Sequence, residues 1–223
     1  MVTKRFILLA LLAVCPALAN TIIVVGTHNS LGQTTWINET APGGTPTNLA
    51  AWAGGIDINI DGYSRVVFCV DLFTDINAST YKSVLGPPDT DRLKRVGWLL
   101  QNQFPTDAAH GAAFQLAIWD IMHDTPDGFD LGSVRRSTDS RNPTSDAVIN
   151  YALQYETASV GKSSTHAVVY HNSLNGVPVQ TLIGSWPNDG GPVDATPEPA
   201  AKVLIVSGLA LMGLSRVHRG PQS

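Results

Sequence analysis

Short β-like runs dominate the first third of the chain. A continuous β-branched run at 21–27 predicts one strand, and the run at 55–60 alternates isoleucine with polar residues, which predicts a half-buried strand. Asp61-Gly62 is a favourable hairpin turn, so a third strand is expected over 63–73. The pattern predicts that the domain begins as antiparallel β structure.

The strand predicted over 63–73 places a cysteine on one of its two faces. Side chains alternate along a strand, so every second residue shares a face. The more apolar face, which we expect to form the core, carries Val66, Phe68, Val70 and Leu72, and the other face carries Arg65, Val67, Cys69 and Asp71. Cys69 is therefore predicted to lie off the most apolar face, unlike a cysteine that only fills a core.

Helical spacing replaces alternation in the middle of the chain. Apolar residues recur every three or four positions over 89–104 and again over 105–124, where a cap is expected at Thr106 or Asp107. A third helix is predicted from Asn142, with a proline in its first turn.

Strands are expected again after the third helix. The runs at 165–171 and 177–186 are β-like, and Asn175-Gly176 is a suitable turn between them. The order of elements predicts an α+β fold, a β-sandwich or barrel-like β-rich domain over 20–186 with a helical insertion.

The first 19 residues have the order of a secretory signal peptide. A basic start and an apolar run precede Ala17 and Ala19, whose small side chains predict cleavage after Ala19. A buried N-terminal helix and a lipoprotein leader ending at Cys15 remain the alternatives.

The C-terminal end reads as a linker followed by an apolar segment. Residues 187–199 are rich in proline, glycine and aspartate, which is typical of a linker. Residues 200–214 are almost entirely apolar and precede Arg216 and Arg219, so 200–223 is predicted to be a hydrophobic sorting or anchor helix with a basic end. A C-terminal helix packed on the domain is the alternative.

Composition narrows the function classes. The 223-residue chain carries a net charge of -4, which offers no electrostatic basis for binding nucleic acid. It has two cysteines, and removal of the leader with Cys15 would leave Cys69 without an intramolecular disulfide partner. No cluster has the spacing of metal ligands, so neither a metal nor a cofactor is expected.

The C-terminal end resembles the PEP-CTERM sorting signal of Gram-negative bacteria. The resemblance rests on Pro197-Glu198-Pro199, the apolar segment and the basic end at Arg216 and Arg219. It implies export, transient membrane anchoring through the C-terminal segment, and processing by a membrane protease of the exosortase type at the cell envelope, cell surface or extracellular matrix.

The body of the chain resembles bacterial thioester domains. FCVD at 68–71 and FQLAIWD at 114–120 look like the paired motifs of that family, in the same order. The resemblance implies a thioester between Cys69 and Gln115, able to acylate an amine or hydroxyl of a surface or polysaccharide partner once, without enzymatic turnover. Asp71 and Trp119 are candidates for the surrounding pocket.

Plainer interpretations stand beside this one. Cys69 is equally explained as a small buried apolar residue, Gln115 as the polar edge of an amphipathic helix, and Asp71 as a turn-forming aspartate. Trp119 also fits core packing. The leading hypothesis is an exported surface or matrix protein that attaches covalently, and the alternative is a noncovalent structural matrix protein with the same fold and no bond.

Overall fold

The computed structural model describes residues 19–185. The predicted linker and sorting segment lie outside the described residues, as does the predicted signal peptide apart from Ala19. Ala19 is exposed and directly precedes the first strand. Within residues 19–185 no helix is long and apolar enough to cross a membrane.

Eight strands and three helices make up the described part of the chain. In chain order they are β1 Asn20–Glu39, β2 Thr47–Ile60, β3 Tyr63–Cys69, β4 Thr80–Gly86, α1 Asp91–Asn102, α2 Ala108–His123, β5 Val134–Arg136, α3 Asp146–Ser159, β6 Ala167–Leu174, β7 Val177–Pro178 and β8 Leu182–Ser185. The prediction of a β-rich α+β domain with inserted helices is confirmed at this level.

The strands pair antiparallel throughout, and six of them form a closed ring. The pairings run from β1 to β2, β3, β8, β6 and β4, and β4 pairs with β1 again. The two short strands lie beside this ring, β5 on the end of β1 and β7 on β6. Closure leaves the six strands without a free edge along their paired stretches.

Both predicted hairpin turns are confirmed. Asp61 and Gly62 have φ angles of 51° and 85°, and Asn175 and Gly176 have φ angles of 53° and 80°. Two successive positive φ angles define the tight turn whose twist matches the flanking antiparallel strands, and Asn, Asp and Gly adopt them at the least cost.

Strand lengths differ from those predicted. β1 and β2 extend far beyond 21–27 and 55–60, because pairing with each other stabilises polar stretches that have no β pattern of their own. The strand predicted over 63–73 ends at Cys69, and the run at 177–186 divides into β7 and β8.

The second helix is the centre of the core. From Gly111 to Ile121 every residue of α2 is buried, because α2 contacts β1, β2, β3, β5 and the other two helices. A helix that is buried on all sides has apolar residues on every face, so the apolar positions of α2 extend beyond those that recur every three or four residues. The third helix begins at Asp146 after Ser145, later than the predicted Asn142.

The predicted division of β3 into a core face and an opposite face is wrong near its end. Val67, Phe68, Cys69 and Val70 are all buried, with at most 7% exposure. Phe68 packs on the helices, where its ring centroid lies 4.9 Å from that of Phe114, and Val67 is buried on the other face. Because both faces of the strand end are covered, the alternation of side chains does not distinguish a core face from an exposed face there.

Candidate functional site

Cys69 ends β3 at a point where one neighbouring strand has already left. On one side β3 still pairs with β8, through Cys69 opposite Leu182. On the other side its last partner in β2 is Ile56, opposite Val67. Backbone groups alternate in direction along a strand, so the N–H and C=O of Cys69 point to the side without a strand partner.

The side-chain amide of Gln115 fills this vacant pairing position. The Cys69 N–H donates to Gln115 Oε1 at 2.9 Å, and Gln115 Nε2 donates to the Cys69 carbonyl oxygen at 2.7 Å. Both bonds are buried, and Gln115 itself is 0% exposed. Gln115 therefore pairs with Cys69 as a strand residue would, and its amide carbon is held beside the cysteine.

Aromatic packing next to the pair holds β3 against α2. Phe68 and Phe114 each immediately precede a member of the pair, and their ring centroids are 4.9 Å apart. The ring of Phe104 lies 5.9 Å from that of Phe68 in an edge-on arrangement. Such pairs add to the stability that area burial provides, by about 0.5–1.5 kcal/mol each.

Two further features determine where α2 lies. Asp107 caps the helix by accepting a hydrogen bond from the His110 N–H at 2.9 Å, as one of the two predicted caps would. One turn on, Gly111 lies against the backbone of Leu31 in β1, where a Cβ atom would be 2.2 Å from the Leu31 carbonyl oxygen. Gly111 permits this close approach one turn before Gln115.

Burial strongly raises the pKa of the Cys69 thiol, and the negative charge of Asp71 raises it further. The thiol is therefore protonated at neutral pH in the folded protein, and the thiolate does not accumulate. Any reaction of Cys69 must remove its proton as the new bond forms.

Asp71 forms a turn that ends β3. One carboxylate oxygen accepts from the Phe73 N–H at 2.9 Å, and the other accepts a short hydrogen bond from the Thr74 hydroxyl. The Asp71 carbonyl oxygen accepts from Gln180 Nε2 at 2.6 Å, which ties the loop to the segment before β8. The candidate pocket residue is thus the turn-forming aspartate of the plainer interpretation, and its charge acts on Cys69 through space.

Trp119 belongs to the core. It is 3% exposed within the central apolar cluster, and its indole N–H has no hydrogen-bond partner among the described residues. The structure thus places the second candidate pocket residue in core packing, on the same buried helix as Gln115.

His123, at the end of α2, contacts the loop that follows β3. Its Nε2 accepts from the Leu72 N–H at 3.3 Å, and its ring lies edge-on to Phe73 at 4.9 Å. Burial lowers the pKa of His123, so the ring is neutral at neutral pH and can accept that bond. The sequence alone does not reveal this contact, because it depends on the chain after β3 turning back towards the end of α2.

Residues 66–158 match the family model of the thioester domain. This stretch of the chain is similar to thioester domains. It includes Cys69 and Gln115, and it runs from within β3 to near the end of α3. Comparisons with curated proteins and with solved structures give no match. Among residues 19–185, no group of three or more His, Cys, Asp and Glu side chains could hold a metal ion.

Proposed function

We propose that this chain is an exported surface or matrix protein that attaches covalently to a partner through a thioester between Cys69 and Gln115. The observation that carries the proposal is the pair of buried hydrogen bonds between the Gln115 amide and the Cys69 backbone, at 2.9 and 2.7 Å. The thioester-domain match over residues 66–158 supports the same pairing.

Bond formation begins with attack of Cys69 Sγ on the amide carbon of Gln115. A new S–C bond forms, and the carbonyl electron pair moves to Oε1. The Cys69 N–H already donates to that oxygen at 2.9 Å, within the range of an oxyanion donor. Holding the two groups together replaces a large effective concentration, which a poorly reactive amide requires.

The tetrahedral intermediate then loses ammonia. The electron pair on Oε1 re-forms the carbonyl, the C–N bond breaks with its electron pair on nitrogen, and the thiol proton completes the leaving NH₃. This route needs no external base, because the proton passes from the thiol to the leaving nitrogen. It therefore suits a thiol that stays protonated because burial raises its pKa. The Cys69 carbonyl oxygen, which accepts from Nε2 at 2.7 Å, orients the leaving nitrogen beforehand.

Attachment is the reverse exchange with another nucleophile. A partner amine or hydroxyl attacks the thioester carbon, the C–S bond breaks, and the sulfur takes up the proton that the nucleophile loses. Gln115 then carries the partner as an amide or ester, and Cys69 returns to a free thiol. Each molecule acylates one partner, so the reaction is adhesion without turnover.

Delivery to the surface is the second part of the proposal. A signal peptide cut after Ala19, the Pro197-Glu198-Pro199 motif and the apolar segment with its basic end support export and processing by an exosortase-type protease. The domain would then act at the cell surface or in the extracellular matrix.

One observation favours the noncovalent alternative. The Gln115 amide satisfies both backbone groups of Cys69, so the pair already has a structural use without any reaction. A buried thiol with a raised pKa is also what an inert core cysteine shows. In this alternative the protein is a structural component of the matrix.

Intact-mass measurement of the purified protein separates the two. The thioester predicts a mass lower by one ammonia than the sequence requires, whereas the noncovalent alternative predicts the full sequence mass. Methylamine should open the bond, leaving a modified Gln115 and a free Cys69 thiol.

Two variants serve as matched controls. Cys69→Ala should abolish the mass deficit and the amine reaction, and Gln115→Ala should do the same while leaving a titratable thiol. A freshly purified parent protein with the full sequence mass and one titratable thiol would leave only the noncovalent alternative.

A further inference from the structure

The strongest polar anomaly in the described residues is a pair of buried carboxyl groups between α2 and α3. Asp120 is 0% exposed and Glu156 is 2% exposed. Asp120 Oδ2 accepts from the Gly128 N–H at 3.0 Å. Asp120 Oδ1 and both Glu156 carboxyl oxygens are buried without a hydrogen-bond partner. The reaction proposed for Cys69 and Gln115 does not use either residue.

The nearest cation does not neutralise this pair. Arg95 of α1 directs its guanidinium to the Asp127 carboxylate at 3.0 and 2.5 Å, to the Ser159 hydroxyl at 2.8 Å and to the Glu156 backbone carbonyl at 2.7 Å. Its charge is therefore balanced by Asp127, and the Glu156 carboxyl group receives no bond from it.

The remaining charged neighbours make ionisation of the pair harder. Asp124 and Asp127 both add negative charge near Asp120, against Arg95 alone. The Asp124 carboxylate is itself satisfied by the N–H groups of Ser133 and Val134, at 2.6 and 2.8 Å. Two adjacent carboxylates without donors in a buried site cannot both remain ionised at low cost.

We propose that Asp120 and Glu156 share a proton in the folded protein, and that this proton holds α3 against α2 and is lost in alkali, which weakens the fold. The shared proton provides an O–H from one carboxyl group to the other, which gives a partner to two of the three oxygens that lack one. On loss, the proton passes to solvent and leaves two facing carboxylates. Asp120 lies on the helix that carries Gln115, five residues further along, and Glu156 lies on α3.

The direction of the pH effect follows from the raised pKa values. Burial is the largest cause for both residues, and for Glu156 the charge of Asp120 comes next. At a pH above the ordinary pKa range of carboxyl groups, the folded protein keeps a proton that the unfolded chain has already released. This contribution to stability is complete in acid and is lost as the pH rises through the folded pKa values.

The test is chemical denaturation of the purified chain between about pH 7 and about pH 9, where ordinary carboxyl groups no longer titrate. For each extra proton held by the folded state, the unfolding equilibrium constant should rise about tenfold per pH unit. Glu156→Gln should remove most of this rise, because its amide donates to Asp120 at every pH. Asp120→Asn should reduce it as well.

Controls separate the pair from other groups. Asp91→Asn, which changes a fully exposed side chain on α1, should keep the pH dependence of the parent. Any contribution of the Cys69 thiol is common to all these variants and cancels in the comparison. Infrared spectroscopy of the folded parent should show a protonated carboxyl band at neutral pH that Glu156→Gln removes.

The proposal is overturned if the parent shows no protonated carboxyl band, or if Glu156→Gln retains the full pH dependence. Neither outcome depends on whether the thioester forms, because neither carboxyl group takes part in that reaction.

Discussion

At the scale of single residues, the surroundings of Cys69 control how acidic its thiol is. Its thiol is buried next to the negative charge of Asp71, and both effects raise the thiol pKa. The same burial would protect a stored thioester, because water has little access to a pair that is at most 7% exposed.

Asp71→Asn should make the thiol more acidic. In a Gln115→Ala background, where Cys69 stays free, removing the charge should raise the rate of reaction with a thiol reagent several-fold, up to about tenfold, at a fixed pH below the thiol pKa. Asparagine can still accept from the Phe73 N–H, so the turn is expected to persist. The pH dependence of the reaction rate measures the change.

Asp75→Asn is the matched control, because it removes the same charge from the same loop at an exposed residue that is not among the causes of the raised thiol pKa. An equal rise in both variants would assign the effect to loosening of the loop and not to charge.

Residue patterns indicated the pair but not its contacts. The motifs around Cys69 and Gln115 led to their pairing, yet the bond from the Gln115 amide to the Cys69 backbone depends on where β2 stops pairing with β3, which no local pattern encodes. The contact of His123 with the Leu72 N–H depends likewise on the path of the loop after β3.

At the scale of elements, the position of α2 against β1 controls the position of Gln115. Gly111→Ala would place a Cβ atom 2.2 Å from the Leu31 carbonyl oxygen, an atom of the backbone that cannot move aside cheaply. The gain in helix propensity, about 1 kcal/mol, is expected to be outweighed by this clash. A net loss of about 1–3 kcal/mol in the free energy of unfolding is expected, as for other overpacked sites.

Denaturant unfolding checks this prediction, with Gly86→Ala as the control. A Cβ atom at Gly86 meets nothing within 4 Å, so that variant should change stability by less than about 0.5 kcal/mol. If the thioester forms, Gly111→Ala should also reduce the fraction of molecules with the ammonia deficit. Unchanged stability and an unchanged fraction would mean that α2 can shift without cost.

Local signals identified elements that carry their own pattern. The turns at Asp61-Gly62 and Asn175-Gly176 have short-range causes and were predicted, and the cap at Asp107 was one of the two that the sequence indicated. β4 and β5 escaped prediction, as did the outer half of β1, because these stretches become strands by pairing with distant partners.

At the scale of the whole molecule, the described domain and the C-terminal end have separate predicted uses. Deleting residues 186–223 should leave the melting temperature nearly unchanged, because the ring of strands ends with β8 at Ser185. The same deletion should prevent normal surface deposition in a host that has the sorting protease. Thermal unfolding and surface labelling measure the two effects.

A large fall in melting temperature would mean that the apolar segment packs on the domain. Normal deposition of the truncated protein would remove the sorting role from the proposal.

The pairing of Cys69 with Gln115 also has a mechanical consequence. The two residues are 46 positions apart, and β4 and α1 lie between them. A covalent bond there would carry tension directly from β3 to α2 when the chain is pulled from its two ends, and the intervening loop would stay slack. Because attachment to a partner breaks the C–S bond, this shortcut would exist only in the unreacted protein, and a chain pulled from its two ends could again lengthen through β4 and α1 once Gln115 carries a partner.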